Sequence, residues 1–176
     1  MNIEQLKNLV RDVPDFPEPG ILFRDITPVL ADPAARAFVR KELADPFRST
    51  QIDVVAGIEA RGFLFGVSLA DDLGVPFVPV RKAGKLPWDK IREDYSLEYG
   101  QAAIEIHKDA IRPGQRVLVH DDLLATGGTC LAAGRLVKKM GGIPAGFSFL
   151  INLSFLPGAA RIETEYGLKP FQLLNY

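Results

Sequence analysis

An α/β fold built on a mainly parallel sheet flanked by helices is what this sequence predicts, and three observations carry that reading. Apolar runs recur at about 52–58, 76–80, 115–120 and 145–153, each the length of a buried strand. Segments with helical spacing separate them, the alternation that yields parallel strands joined by right-handed crossovers. Small, charged and glycine-rich motifs fall at the C-terminal ends of these runs, the edge at which open α/β sheets bind ligands.

Ile3, Leu6, Leu9 and Val10 recur at helical spacing and predict a short helix over 3–12. The run P-D-F-P-E-P-G from Pro14 to Gly20 ends it with an extended, stiffened connection. I-L-F-R-D-I follows as an edge strand holding Arg24 and Asp25. Asp32 as N-cap and Pro33 in the first turn open a helix reaching about Leu43, which Pro46 ends or kinks. The strand Ile52–Ile58 leads through E-A-R-G into F-L-F-G-V-S-L-A, suited to a helix covering the sheet. Gly74 and Pro76 bracket the turn into a third strand, V-P-F-V-P-V, and R-K-A-G-K-L-P-W comes next. Trp88–Ser96 has mixed charge and no clear period, so about 83–100 is expected to be a flexible loop closing over bound substrate, with a solvated hairpin as the alternative. Ala103–Lys108 alternates as a half-exposed strand does, and 116–120 is the central strand. Cys130–Met140 reads as a helix stopped by Gly141 and Gly142, followed by the strand F-S-F-L-I-N-L, a short helix in P-G-A-A-R-I-E-T-E-Y-G and a last strand in L-K-P-F-Q-L-L-N-Y.

With 176 residues, 47% of them hydrophobic and 24% charged, the chain is expected to form one compact globular domain. A net charge of −1 without like-charge blocks points to neither a nucleic-acid partner nor a membrane surface, so any anion site must be local. The first residues mix acid and base in an amphipathic pattern unlike a signal peptide, and no segment approaches a bilayer-spanning length. The single Cys130 excludes an internal disulfide and suits a reducing cytoplasm, where it reads as a packed thiol.

The chemistry concentrates in V-L-V-H-D-D-L-L-A-T-G-G-T, from Val117 to Thr129. Unpaired N–H groups of a glycine-rich turn at a helix N-terminus, with the helix dipole, form a site for a phosphate dianion. Gly127 and Gly128 let the backbone approach, while Thr126 and Thr129 add hydroxyl donors. The lysine that follows the glycines of an NTPase P-loop is missing, since Thr129 and then Cys130 come next, so one phosphate is expected and not a triphosphate. Asp121 and Asp122 would repel that phosphate, but as acceptors they suit an adjacent diol or a hydrated cation. In isolation the same letters also describe an ordinary N-cap and turn. His120 invites an acid/base or metal role beside the two carboxylates. Strand alternation, however, puts it opposite Asp121 with no second His or Cys nearby, which favours a satisfied structural histidine.

The string D-D-L-L-A-T-G-G-T resembles the phosphoribosyl pyrophosphate motif of type I phosphoribosyltransferases, in their adenine branch. P-G-I-L-F-R-D-I, E-A-R-G-F-L-F-G, R-K-A-G-K-L-P and Y-S-L-E-Y-G resemble the same branch, so the likeness covers nearly the whole chain. What the resemblance implies is the type I phosphoribosyltransferase fold over 1–176, with a small N-terminal hood and base-recognition segment at about 1–33. The activity implied is purine salvage: adenine and phosphoribosyl pyrophosphate give AMP and pyrophosphate with Mg²⁺ assistance, in a cytoplasmic homodimer. Carried over residue by residue, Leu22, Phe23, Arg24 and Leu153 would meet adenine, with backbone readout at Leu22 and Arg24. Ala60, Arg61 and Gly62 would hold pyrophosphate, helped by Lys82 and Lys85, and Arg81 would reach the neighbouring subunit's site. Asp121 and Asp122 would hold ribose or the shell of the metal, which takes no direct protein ligand, and Ala125, Thr126, Gly127, Gly128 and Thr129 the 5′-phosphate. Glu98 would handle the base proton, with Tyr99 fixing its loop. His120 and Trp88 depart from the residues usual in the family. A 6-oxopurine enzyme of the same fold, a regulator that senses phosphoribosyl pyrophosphate and a generic sugar-phosphate module remain the rival readings.

Overall fold

The computed structural model describes residues 1–96 and 100–176. Helix α1 (Ile3–Leu9) starts with a reciprocal capping box: Gln5 N–H donates to Asn2 Oδ1 and Asn2 N–H to Gln5 Oε1, both at 2.9 Å. It stops short of the expected residue 12 because Arg11–Pro14 becomes strand β1, paired antiparallel with β2 (Leu22–Asp25). The proline-rich run is therefore the loop of a hairpin. A short helix α2 (Thr27–Ala31) follows, unforeseen in the sequence, and then α3 (Pro33–Ala44), where Asp32 accepts from the N–H groups of Ala34 and Ala35 as expected of its N-cap.

The remaining elements are β3 (Val54–Ile58), α4 (Gly62–Leu73), β4 (Phe77–Lys82), β5 (Lys90–Ser96), β6 (Gln101–His107), β7 (Arg116–Leu124), α5 (Gly128–Lys139), β8 (Ile143–Asn152), α6 (Gly158–Tyr166) and β9 (Phe171–Asn175). They make a seven-stranded sheet of order β5-β6-β4-β3-β7-β8-β9. The run β4-β3-β7-β8-β9 is parallel throughout, and the hairpin β5-β6 joins it antiparallel to β4. The expected α/β architecture, a mainly parallel sheet with helices on both faces, is what the chain adopts.

Strand alternation sorts the core into two layers. Val117, Val119, Phe147 and Phe149 pack with α5 and α6, while Val55, Leu118 and Leu150 pack with α3 and α4. Each such side chain, buried on folding, contributes about 1.5–3 kcal/mol.

Two boundaries correct the sequence reading. Residues 90–96, expected inside an irregular loop over 83–100, form a regular strand whose inward positions are Ile91, Glu93 and Tyr95. The period was masked because the middle inward residue is a glutamate, accommodated by Lys139 Nζ at 2.6 Å and Arg135 Nη1 at 3.8 Å from α5. Likewise β7 runs past residue 120: its parallel ladder with β8 continues through Asp121, Leu123 and Leu124, so the acidic pair lies within the strand.

Chain order turns one way from β3 to β4 and the other way from β3 to β7, which makes the C-terminal ends of β3 and β7 the switch point where such sheets open a crevice.

Candidate active site

At that switch point β7 gives way to Ala125–Thr129 and α5. Gly127 has φ +84°, a left-handed conformation that side chains disfavour, and this bends the turn so that α5 begins at Gly128. The turn, with Asp121 and Cys130, borders a cavity of about 90 Å³. A pocket for a drug-sized ligand runs to roughly 300–1,000 Å³, so this one suits a single small oxyanion at the helix N-terminus. Thr129 Oγ1 donates to Tyr95 Oη at 3.1 Å. Cys130 is buried with its Sγ on Gly127 O at 3.1 Å, and burial pushes the thiol up to about 12, which leaves it a packed, unreactive group.

Asp121 faces the cavity and Asp122, its strand neighbour, is buried. Burial raises Asp121 well above the ordinary carboxylate range, and the charge of Asp122 adds to the rise. Burial raises Asp122 as well, opposed by Arg61. Arg61 Nε lies 2.9 Å from Asp122 Oδ2, yet that buried oxygen has no well-directed hydrogen bond among the described residues. Gly62 allows this approach: a Cβ there would stand 2.9 Å from both Asp121 Oδ1 and His120 O. The Arg61 guanidinium also lies over the Phe23 ring, 4.9 Å from its centroid. Three segments distant in sequence, 22–25, 60–62 and 121–129, thus meet at one arginine.

The pair of aspartates offers hard oxygen donors, which fits the outer shell of a hydrated divalent cation. Among the described residues no three His, Cys, Asp or Glu side chains come together as a metal cage, so the substrate's oxygens and water would have to supply most ligands.

A phosphoribosyl transferase domain model matches residues 27–151. The adenine phosphoribosyltransferase of Solibacter usitatus is 54% identical over 171 residues, covering 97% of this chain and 97% of that protein. The crystal structure of adenine phosphoribosyltransferase from Thermoanaerobacter pseudethanolicus superposes with a TM-score of 0.94 at 48% identity, over 99% of this chain and 100% of that one. The Giardia lamblia enzyme, solved in complex with 9-deazaadenine, gives a TM-score of 0.94 at 38% identity, over 100% and 98% of the two chains. The chain belongs to the adenine phosphoribosyltransferase family.

As a member of that family it carries the type I phosphoribosyltransferase fold, and its expected site residues divide into three groups. Phe23, Arg61, Gly62, Asp121, Asp122 and the 125–129 turn come together as described. Leu153 joins them at the end of β8, half-buried, its N–H donating to Leu124 O at 2.9 Å. Others point elsewhere in this chain. Arg81 is held by Glu59, with Nε and Nη2 at 3.1 and 3.3 Å from its two oxygens, and this keeps the Glu59 carboxyl below its usual range, reinforced by Lys82 N–H at 2.9 Å. The side chains of Lys82 and Lys85 stand exposed at the end of β4 and the turn after it, and Ala60 is exposed beyond a cis Glu59–Ala60 peptide. Arg24 turns to Asp12 and stacks on the Tyr176 ring at 3.9 Å, while Leu22 is exposed. Glu98 and Tyr99 lie outside the described residues.

The adenine phosphoribosyltransferase site also contains groups that the sequence did not reveal. Tyr95 reaches the Ala125–Thr129 turn from β5. Gly158, opening α6, donates to Ala125 O at 3.1 Å, and Arg161 Nη1 donates to Thr126 O at 2.7 Å. All three come from segments remote in sequence, so no local spacing signals them. His120 corrects one expectation: it is structural and fully buried, but neither ring nitrogen has a hydrogen-bond partner among the described residues. Burial lowers its pKa to about 4, so the ring is neutral at pH 7. Ser148, paired with it across β7 and β8, is an orphan too.

Proposed function

We propose that the chain transfers the 5-phosphoribosyl group of phosphoribosyl pyrophosphate to adenine, releasing AMP and pyrophosphate in purine salvage. The observation that carries this reading is the meeting of Phe23, Arg61 and Asp122 beside the small anion cavity. An aromatic platform, a cation and an acidic pair next to a phosphate turn match a base, a leaving group and a phosphorylated sugar.

In this reading the amides of Ala125–Thr129 hold the 5′-phosphate, far from the bond that breaks, and that binding energy orients the sugar. Asp121 and Asp122 accept from the ribose hydroxyls and place negative charge near C1′. The C1′–O bond breaks ahead of attack, its electron pair leaving with pyrophosphate, and the sugar passes through an oxocarbenium-like transition state. An adenine nitrogen then bonds to C1′ and Glu98 takes its proton. Tyr99 steadies Glu98. Pyrophosphate is received by Arg61 and the 60–62 backbone, with Lys82 and Lys85 adding fixed cations for its developing charge. Arg61 changes partner as it does so, freeing Asp122 and uncovering the face of Phe23 for adenine, which packs between Phe23 and Leu153 while the backbone of Leu22 and Arg24 reads its edge. Mg²⁺, when bound through substrate oxygens and water, neutralises charge on pyrophosphate.

The chain works as one domain, with 1–33 as the base-recognition segment and 83–100 covering the substrates. The enzyme acts in the cytoplasm as a homodimer, in which Arg81 exchanges Glu59 for the partner subunit's site. No helix among the described residues is long and apolar enough to cross a membrane.

A spectrophotometric assay with phosphoribosyl pyrophosphate and each of adenine, hypoxanthine, guanine and xanthine, with and without chelator, tests this. Metal-dependent turnover of adenine alone is expected. Turnover of an oxopurine would overturn the base assignment, and turnover unaffected by chelator would remove the metal.

A further inference from the structure

The phosphate turn has an electrostatic gap. Ala125–Thr129 carries no charge, no lysine follows its glycines, and among the described residues the one charged side chain bordering the cavity is Asp121, a carboxylate. A dianion placed there would meet backbone dipoles with no formal positive charge in the lining.

Helix α6 closes that gap from outside the motif. Its first residue is seated on the turn: a Cβ at Gly158 would stand 2.3 Å from Ala125 O, and a Cβ at Gly127 would stand 3.1 Å from Gly158 Cα. One turn further along, Arg161 donates from Nη1 to Thr126 O at 2.7 Å, and no carboxylate lies within ion-pair distance of it among the described residues. The guanidinium is therefore a cation with no acidic partner among the described residues, set against the outer wall of the turn.

We infer that Arg161 is a positioning residue of the phosphate site, supplying from α6 the positive charge that the glycine turn lacks for a ligand bearing a 5′-phosphomonoester. It acts in two ways. By accepting Arg161, the Thr126 carbonyl is held on the α6 side, so the turn offers amides and not an oxygen lone pair to the anion. The charge itself draws a phosphate from within a Debye length, about 8 Å at physiological salt. This inference rests on the reading of Ala125–Thr129 as the phosphate site.

The test compares Arg161→Gln, which keeps a donor for Thr126 O but loses the charge, with Arg161→Lys, which keeps the charge. Calorimetric titration with ribose 5-phosphate and, separately, with pyrophosphate is the readout, alongside KM and kcat for phosphoribosyl pyrophosphate. Arg161→Gln should weaken ribose 5-phosphate about three- to fivefold, the upper range of an exposed charge contact, and flatten its salt dependence. Pyrophosphate affinity and kcat should stay within about twofold of wild type, and Arg161→Lys should restore most of the loss. Unchanged ribose 5-phosphate affinity in Arg161→Gln overturns the inference. So does an equal loss for both ligands, which marks general damage, or a Lys variant as weak as Gln. If wild-type protein binds pyrophosphate but not ribose 5-phosphate, it is the phosphate reading of the turn that fails.

Discussion

Folding buries the Asp121 carboxyl at some expense to stability. A carboxyl whose pKa is raised by folding stabilises the fold below its unfolded-state value and loses that contribution as pH rises through the raised one. Asp121→Asn, which cannot ionise, is expected to raise Tm at neutral pH by about 2–4 °C for each kcal/mol recovered, while turnover is lost. Melting curves of wild type and variant should converge as pH falls toward 4, and a variant that melts lower at pH 8 would contradict the argument. Arg61 joins the Phe23 ring to the Asp122 carboxylate. Arg61→Gln should lower kcat/KM by roughly 10²–10³, the scale of losing a charge that meets the leaving group. His120 and Ser148 make the opposite case, two buried polar groups whose side chains find no hydrogen-bond partner among the described residues. His120→Leu combined with Ser148→Ala should leave Tm equal or higher and kcat/KM within twofold, since replacing orphaned polar atoms by apolar ones removes a desolvation cost.

At the scale of elements, the Ala125–Thr129 turn is held from two sides, by β5 through Tyr95 and by α6 through Gly158. Gly158→Ala puts a methyl into the Ala125 carbonyl, so α6 must shift, at a cost of about 1–3 kcal/mol. A lower Tm together with a raised KM for phosphoribosyl pyrophosphate is the expected pair of changes. Tyr95→Phe keeps the ring beside Gly128 and removes only the hydroxyl, so KM should rise about three- to tenfold with little change in Tm. The sequence hid β5 because Glu93 points inward, and it hid the end of β7 because two aspartates in a row read as a loop. In both places tertiary partners, Lys139 for Glu93 and the β8 ladder for Asp121, make a local pattern acceptable that propensity argues against.

For the whole molecule, the parallel core and the N-terminal hairpin differ in how firmly they are held. Backbone amides of β3, β7 and β8, covered by helices on both faces, should exchange slowest, while β1 and β2, paired only with each other, should exchange faster and gain protection when adenine and pyrophosphate are added. The sequence by itself determined the fold class, the order of the parallel strands' helices and the run from Asp121 to Thr129, because hydrophobic period and glycine-turn chemistry are local properties of the chain. Only the tertiary structure decided that Arg61 would bridge Phe23 and Asp122, that Arg81 would be held on Glu59, and that Tyr95, Gly158 and Arg161 would shape the Ala125–Thr129 turn. Those contacts join residues about 20 to 60 positions or more apart, and their geometry is set by the sheet order and by the room that Gly62 and Gly158 leave for close approach.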